Sequence, residues 1–314
     1  MALLSVQGLR TGYGGIPVVF GIDLEVGEGE VVAMLGANGA GKTTTLRAIS
    51  GMIKAMAGEV SFAGRRITNR PADQIARSGM VHVPEGRAIF PSLRVDETLR
   101  LAAAMARIPR GSVGDRIDEV YATFPRLAER RSQTAATLSG GEQQMLTLSR
   151  GLIAQPRLLL IDEMSQGLAP TIVANLFEIV ATFPRRGTSV LLVEQFVGQA
   201  LGVADRAYVL EKGAVSYAGS AKQLAADENF VRGSYLGDVS VEAETTGRRR
   251  RWEEAREPAA EMPGTMPPVL VRALEELARR EGVPVAQLIH EALQENGTGA
   301  ASVPVGSGGA EHGR

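Results

Sequence analysis

At 314 residues the chain is long enough for about two domains at roughly 150 residues each and for a well-filled core. Lys plus Arg number 34 and Asp plus Glu 35, a formal net charge of −1 that speaks against a chain built mainly to coat nucleic acid or an anionic membrane. The absence of cysteine excludes disulfides, thiolate metal sites and cysteine nucleophiles at once.

Residues Met1 to Gly15 lack a basic stretch leading into a long apolar run, so no secretory signal is expected there. No run approaches the ~18 consecutive apolar residues of a membrane-spanning helix, and a cytosolic chain is expected. Val31 to Leu35 is continuously apolar and predicts a buried strand, followed by a glycine-rich loop and a helix over Thr43 to Ser50. Val95 to Ile153 reads as almost wholly helical, a helical insert over roughly residues 86–155 carried on an α/β core. Leu158 to Ile161 and Ser189 to Val193 predict two further buried strands, with an amphipathic stretch from Pro170 to Phe183 between them. From Asp238 to Thr265 charged residues, Gly and Pro follow one another without periodicity, which reads as a linker. Apolar residues return at helical spacing from Val269 to Leu293, with Gly282 and Pro284 placed to end one helix and begin another, so residues 266–295 are expected to form a helical hairpin. Residues 296–314 are rich in Gly, Ser and Ala and are expected to be a disordered tail.

Three motifs carry chemistry. Gly36-Ala-Asn38-Gly39-Ala-Gly41-Lys42-Thr43 fits the phosphate-loop pattern between a strand and a helix. Its glycines let successive backbone N–H groups point at phosphate oxygens, Lys42 neutralises the β and γ phosphates, and Thr43 offers a hydroxyl to Mg²⁺. Thr44 continues the loop into the helix. The apolar run Leu158 to Ile161 ends in Asp162 and Glu163, which a parallel strand delivers to the ligand edge of its sheet. There Asp162 is suited to hold the metal's water and Glu163 to polarise an attacking water; taken alone, two acids at a strand end read equally well as a solvated edge. Leu138-Ser139-Gly140-Gly141-Glu142-Gln143-Gln144 sets a serine cap and two glycines at the start of a helix whose buried stripe holds Met145, Leu148 and Leu152.

In this order and spacing the three motifs resemble the ATP-binding subunits of ABC transporters. Val83-Pro84-Glu85-Gly86-Arg87, Ser165-Gln-Gly-Leu-Ala-Pro170, Val193-Glu194-Gln195 and Tyr235-Leu236-Gly237 narrow the resemblance to branched-chain amino acid import ATPases of the LivF type, over residues 1–237. It implies a P-loop NTPase fold of the ABC class, α/β with a RecA-like core, an antiparallel β subdomain and a helical insert, here followed by a small α-helical extension. By position it makes Glu163 the catalytic base, with Thr43, Asp162 and Glu85 on Mg²⁺ and Ser139, Gly140 and Gly141 meeting the ATP of a partner subunit. Tyr13, in the Gly12-Tyr-Gly14 turn expected after the first strand, where the family places an aromatic, would stack on adenine or simply pack on the surface. Two positions depart from the general ABC pattern: Glu85 stands where glutamine is usual beside the metal and the attacking water, and Gln195 replaces a histidine. An ionised Glu85 accepts but cannot donate a hydrogen bond, and Gln195 cannot take up a proton but can offer its amide N–H to the γ-phosphate.

The same resemblance implies partners: a second ATPase subunit, LivG-like or a second copy, two membrane permeases and, indirectly, a periplasmic binding protein. The chain would then lie on the inner face of the cell membrane. Ala88, Ile89, Phe90 and Leu93 would line a groove for a permease helix or belong to the ordinary core of the insert. An importer of urea or short amides is the related alternative, and a soluble ABC ATPase acting on nucleic acid the remote one. The helix pair from Val269 to Leu293 resembles ribbon-helix-helix proteins, yet Pro263, Pro267 and Pro268 fall where such proteins carry their DNA-reading strand, so a docking or dimerisation module, or an appendage without a role of its own, fits it better than DNA. Arg248 to Arg251 with Trp252 reads as a solvated linker or a contact with anionic lipid.

Overall fold

In the computed structural model, which describes residues 2–227 and Phe230, the chain opens with two long strands, β1 (Ala2–Tyr13) and β2 (Ile16–Gly27), turning at Gly14 and Gly15. The buried strand β3 (Val31–Leu35) leads through the glycine loop into α1 (Lys42–Ile49). Next come β4 (Ala55–Phe62), β5 (Arg65–Arg66), α2 (Ala72–Arg77) and β6 (Met80–Val83). Four helices follow: α3 (Val95–Met105), α4 (Val113–Thr123), α5 (Pro125–Glu129) and α6 (Gly140–Leu152). The last stretch alternates β7 (Leu158–Asp162), α7 (Pro170–Val180), β8 (Ser189–Val193), α8 (Val197–Val203), β9 (Arg206–Glu211), β10 (Ala214–Ser220) and α9 (Ala221–Ala225).

The strands form an antiparallel sheet, β2-β1-β4-β5, and a six-stranded sheet, β10-β9-β3-β8-β7-β6, parallel throughout except at β10. Side chains alternate across a strand, so each buried strand of the larger sheet feeds two cores. Val31, Ala33, Leu35, Leu159, Ile161, Val190 and Leu192 face the helices, packing with Leu99, Leu146, Leu148, Val173 and Phe177. Val32, Met34, Leu158, Leu160, Leu191 and Val193 face the other way, against Leu4, Val6 and Leu9 of β1 and Leu46 and Ile49 of α1. Burial on both faces explains why β3, β7 and β8 are apolar without interruption, as their sequences predict.

The stretch from Val95 to Ile153 is less helical than its sequence predicts. Pro109, which lacks an N–H and disfavours helix at Ile108, separates α3 from α4, and Pro125 closes α4 and opens α5. Residues 130–139 run back beside the start of α3, where Val95 N donates to Gln133 O (3.0 Å) and Ala135 N to Leu93 O (2.8 Å). None of the described helices is long and apolar enough to cross a membrane. The linker, helical-hairpin and tail expectations for 238–265, 266–295 and 296–314, with Arg248 to Arg251, Trp252 and the Tyr235-Leu236-Gly237 run, lie outside the described residues.

Candidate functional site

The carboxyl ends of β3, β8, β7 and β6, adjacent in the sheet, deliver the glycine loop, Glu194 and Gln195, Asp162 and Glu163, and Glu85 to one edge. Open parallel sheets bind ligands at this edge, where strand ends and helix N-termini converge. Gly36 adopts φ 146°, and a Cβ there would lie 2.3 Å from the Leu210 carbonyl oxygen, so only glycine lets the loop leave β3 this way. Ala37, Asn38 and Gly39 stand exposed at the loop's crest. Lys42 is buried, donating from Nζ to the carbonyls of Gly36 (2.8 Å) and Ala37 (3.2 Å) and lying 3.6 Å from Glu163 Oε1.

Thr43 Oγ1 donates to Asp162 Oδ1 at 3.0 Å, joining the loop to β7. The second oxygen of Asp162, Oδ2, is buried and has no hydrogen-bond partner. Burial pushes the Asp162 carboxyl up to about 6, with the charges of Glu163 and Glu85 acting in the same sense and the Thr43 hydroxyl opposing them. Glu163 has a left-handed backbone, φ 43°, with its N–H given to Val193 O (2.9 Å) and Oε2 accepting from Gln195 Nε2 (2.7 Å). Glu163 lines a cavity of about 450 Å³ with Gly86, Arg87, Gln144, Gln166 and Gly167, and Glu85 stands exposed just before that rim.

Tyr13 is the last residue of β1, paired with Ile16, rather than part of a turn beyond that strand, and its ring is exposed. Its hydroxyl accepts from Arg47 on α1 (3.2 Å), which sets the ring beside the helix that the glycine loop opens. Ser139 caps α6 reciprocally: its Oγ accepts from Glu142 N (3.3 Å) while Glu142 accepts from Ser139 N (2.8 Å). Gly141 packs against α7, where a Cβ would fall 2.6 Å from Ile172 Cγ2, and Gly140 lies under the Arg87 guanidinium. Among the described residues no hydrogen bond or ion pair links Ser139, Gly140 or Gly141 to the glycine loop, Asp162 or Glu163.

A family model for ABC transporters matches residues 19–166. BraG of Pseudomonas aeruginosa, a high-affinity branched-chain amino acid transport ATP-binding protein, is 42% identical over 235 residues, covering 75% of this chain and 100% of BraG. A probable branched-chain amino acid transport ATP-binding protein, LivF of Archaeoglobus fulgidus, is 33% identical over 73% of this chain and 96% of its own. The solved structure of an ATP-binding subunit of an ABC transporter superposes with a TM-score of 0.65 at 28% identity, covering 75% of this chain and 98% of that one. The chain belongs to the ABC transporter ATP-binding subunits.

This ABC ATPase carries two residues at its site that the motifs leave without a role. Glu194 is fully buried; its Oε1 accepts from Ser165 N (3.2 Å), and its Oε2 accepts from the Ser165 hydroxyl and from Gln195 N (3.3 Å). Burial pushes this carboxyl up to about 7, against the pull of those hydrogen bonds. The signal was available in the sequence, since Glu194 ends the apolar run of β8 just as Asp162 ends that of β7. Arg87 is the other. From the loop after Glu85 it covers Gly140 and donates to Gly167 O (3.4 Å), so it touches the starts of two segments 27 residues apart in sequence.

Proposed function

We propose that this ABC ATPase powers an importer of branched-chain amino acids, with Mg²⁺ and ATP held between two ATPase subunits and hydrolysed at the carboxyl edge of the six-stranded sheet. The observation that carries the site is the oxygen pair of Thr43 and Asp162, with its unpartnered Oδ2, beside the Lys42, Glu163 and Gln195 cluster. An oxygen-only donor set of one carboxylate and one hydroxyl suits a hard cation that shares its shell with phosphate oxygens. Mg²⁺ bound there neutralises charge on the phosphates.

The chain's own residues do the rest. Backbone N–H groups from Gly36 through Thr44, including those of Asn38, Gly39 and Gly41, cradle the phosphates, and Lys42 turns its amine from the loop carbonyls toward them. Tyr13 offers its exposed face to adenine. Glu163 accepts the proton of the attacking water at Oε2, and Gln195, donating to that same oxygen, aims the carboxylate and presents its amide to the γ-phosphate. Glu85 adds negative charge beside Asp162 and so sharpens the preference of that site for a cation. Ser139, Gly140 and Gly141 present the N-terminus of α6 to the ATP of the second subunit, LivG-like or a second copy.

Cargo specificity rests on the likeness to BraG over its whole length. The permeases would meet the surface around Phe90, which is 37% exposed with the Arg150 guanidinium 4.9 Å from its ring centre, and around Ala88. Ile89 packs partly against the helical core, so it serves the fold as well as any groove. A periplasmic binding protein would choose the cargo, and the ATPase would sit on the cytoplasmic face through its permeases. Isolation of the tagged full chain from membranes tests this: two polytopic permeases and a second ATPase subunit should accompany it, and its deletion should abolish leucine uptake. Loss of urea uptake with leucine uptake intact would overturn the cargo assignment.

A further inference from the structure

Among the described residues no cation pairs with Glu194, although its carboxylate is wholly buried. A buried acid without a counter-ion opposes folding, so an apolar side chain of similar size would serve the core better. What the carboxylate does instead is accept three hydrogen bonds from two residues. Ser165, two positions beyond Glu163, gives its N–H and its hydroxyl, and Gln195 gives its N–H. Gln195 reaches back through Nε2 to Glu163, whose own N–H is held by the Val193 carbonyl. The contacts close a ring from Glu163 along the chain to Ser165, across to Glu194, on to Gln195 and back to Glu163, spanning the ends of β7 and β8.

We propose that Glu194 is a positioning residue for ATP hydrolysis: by tying Ser165 to the Gln195 backbone it holds the Gln195 amide in register with the Glu163 carboxylate. This rests on the reading that Glu163 takes the proton of the attacking water. Glu194 itself touches neither ATP nor water in this scheme. It acts by keeping two strand ends from sliding, and misplacing a catalytic group by about 1 Å can lower a rate on the order of a hundredfold.

Glu194→Gln tests the ring without opening a cavity. An amide keeps the volume but accepts at one oxygen only, and its NH₂ must face either Ser165 N or Gln195 N, donor against donor. Steady-state hydrolysis by the full chain assembled with its partner subunits should show kcat per folded molecule lowered on the order of tenfold or more, with KM for ATP within about twofold. Ser165→Ala, which removes one of the three bonds, should lower kcat by a smaller factor. Glu194→Gln added to Gln195→Ala should lower kcat no further than Gln195→Ala alone, because the ring is already open. Full kcat in Glu194→Gln would overturn the proposal, as would kcat loss matched by loss of ATP affinity and of Tm. If Glu194→Gln does not fold, full kcat in Ser165→Ala overturns it. Failure of the wild-type assembly to hydrolyse ATP would strike the underlying reading instead, and the two failures are separable.

Discussion

The six-stranded sheet carries acids at both of its edges and treats them in opposite ways. At the amino edge each acid has a partner that matches it: Glu30 takes both arms of Arg206, Glu28 pairs with Arg157, and Asp205 accepts the N–H of Val31 at 2.9 Å. At the carboxyl edge Asp162 and Glu194 are buried and, among the described residues, neither forms an ion pair, while Glu163 shares one lysine with the loop carbonyls. Burial raises the proton affinity of Asp162 and of Glu194, whereas the amino-edge contacts raise that of Arg206 and so keep its charge. One edge has its electrostatics completed within the chain; the other holds negative charge and open donors for something from outside. Buried groups with shifted proton affinity and no ion partner are enriched at working sites, and this contrast between the edges supports the proposed function.

The largest expected effect comes from breaking the unsatisfied edge at its centre. Glu163→Gln keeps the hydrogen bond with Gln195 but removes the proposed proton acceptor, so hydrolysis should fall by about 10²–10⁴-fold while ATP binding persists. Turnover measured against nucleotide binding on the same preparation checks it; near-normal turnover would move the base to another residue. Lys42→Ala should act one step earlier. It removes a buried cation aimed at the loop, and ATP affinity should drop on the order of ten- to a hundredfold, the equivalent of one charge-assisted hydrogen bond of about 1.5–3 kcal/mol. A fluorescent-nucleotide titration reads this directly, and unchanged affinity would mean that the lysine serves the loop alone.

Glu194 sharpens the same contrast through pH. Its folded pKa, about 7, stands above the ordinary 4.5, so the fold binds this proton more tightly than the unfolded chain does. Its contribution to stability is therefore full below about pH 4.5 and is lost as pH rises through about 7. Glu194→Gln cannot ionise, so its stability relative to wild type should improve by about 2–3 kcal/mol between pH 5 and pH 8. Denaturant midpoints at the two values test the sign, and a constant difference would show that the carboxyl is ionised throughout.

Much of this edge was legible in the sequence because its elements are local. The glycine loop, β3, β7 and β8 are contiguous runs whose apolar character follows from burial on both faces, and their last residues fall at the site by strand polarity alone. The ring through Glu194 was not legible, because Ser165 and Glu194 are 29 residues apart and meet only through the parallel pairing of β7 with β8. The strand pattern of β1 and β2 also escaped a reading by periodicity. Register shifts between Ala2 and Leu4, Val6 and Leu9, Leu9 and Arg10, and Thr11 and Gly12 break the alternation on which such a reading depends. The helical stretch is broken where apolar spacing gives no sign of it: Arg107 turns left-handed just past the end of α3, ahead of Pro109, and Pro125 follows α4.

The smallest effects belong to the satisfied edge, and they separate its two ion pairs. Arg206 donates to both oxygens of Glu30 and, at 2.8 Å, to the carbonyl of Glu25, while Glu30 also accepts the N–H of Gly27 at 2.5 Å. Its guanidinium is about a third exposed, so solvent screens part of that network, and Arg206→Ala should lower stability by about 1–2 kcal/mol. Arg157 and Glu28 form one contact between side chains 51% and 67% exposed, so Arg157→Ala should change stability by no more than about 0.5 kcal/mol. Neither arginine approaches the carboxyl edge, and kcat per folded molecule should match wild type in both variants. A fall in kcat in Arg206→Ala at unchanged Tm would show that the two edges communicate along the strands, and the division between a completed edge and a working edge would then fail as an account of this sheet.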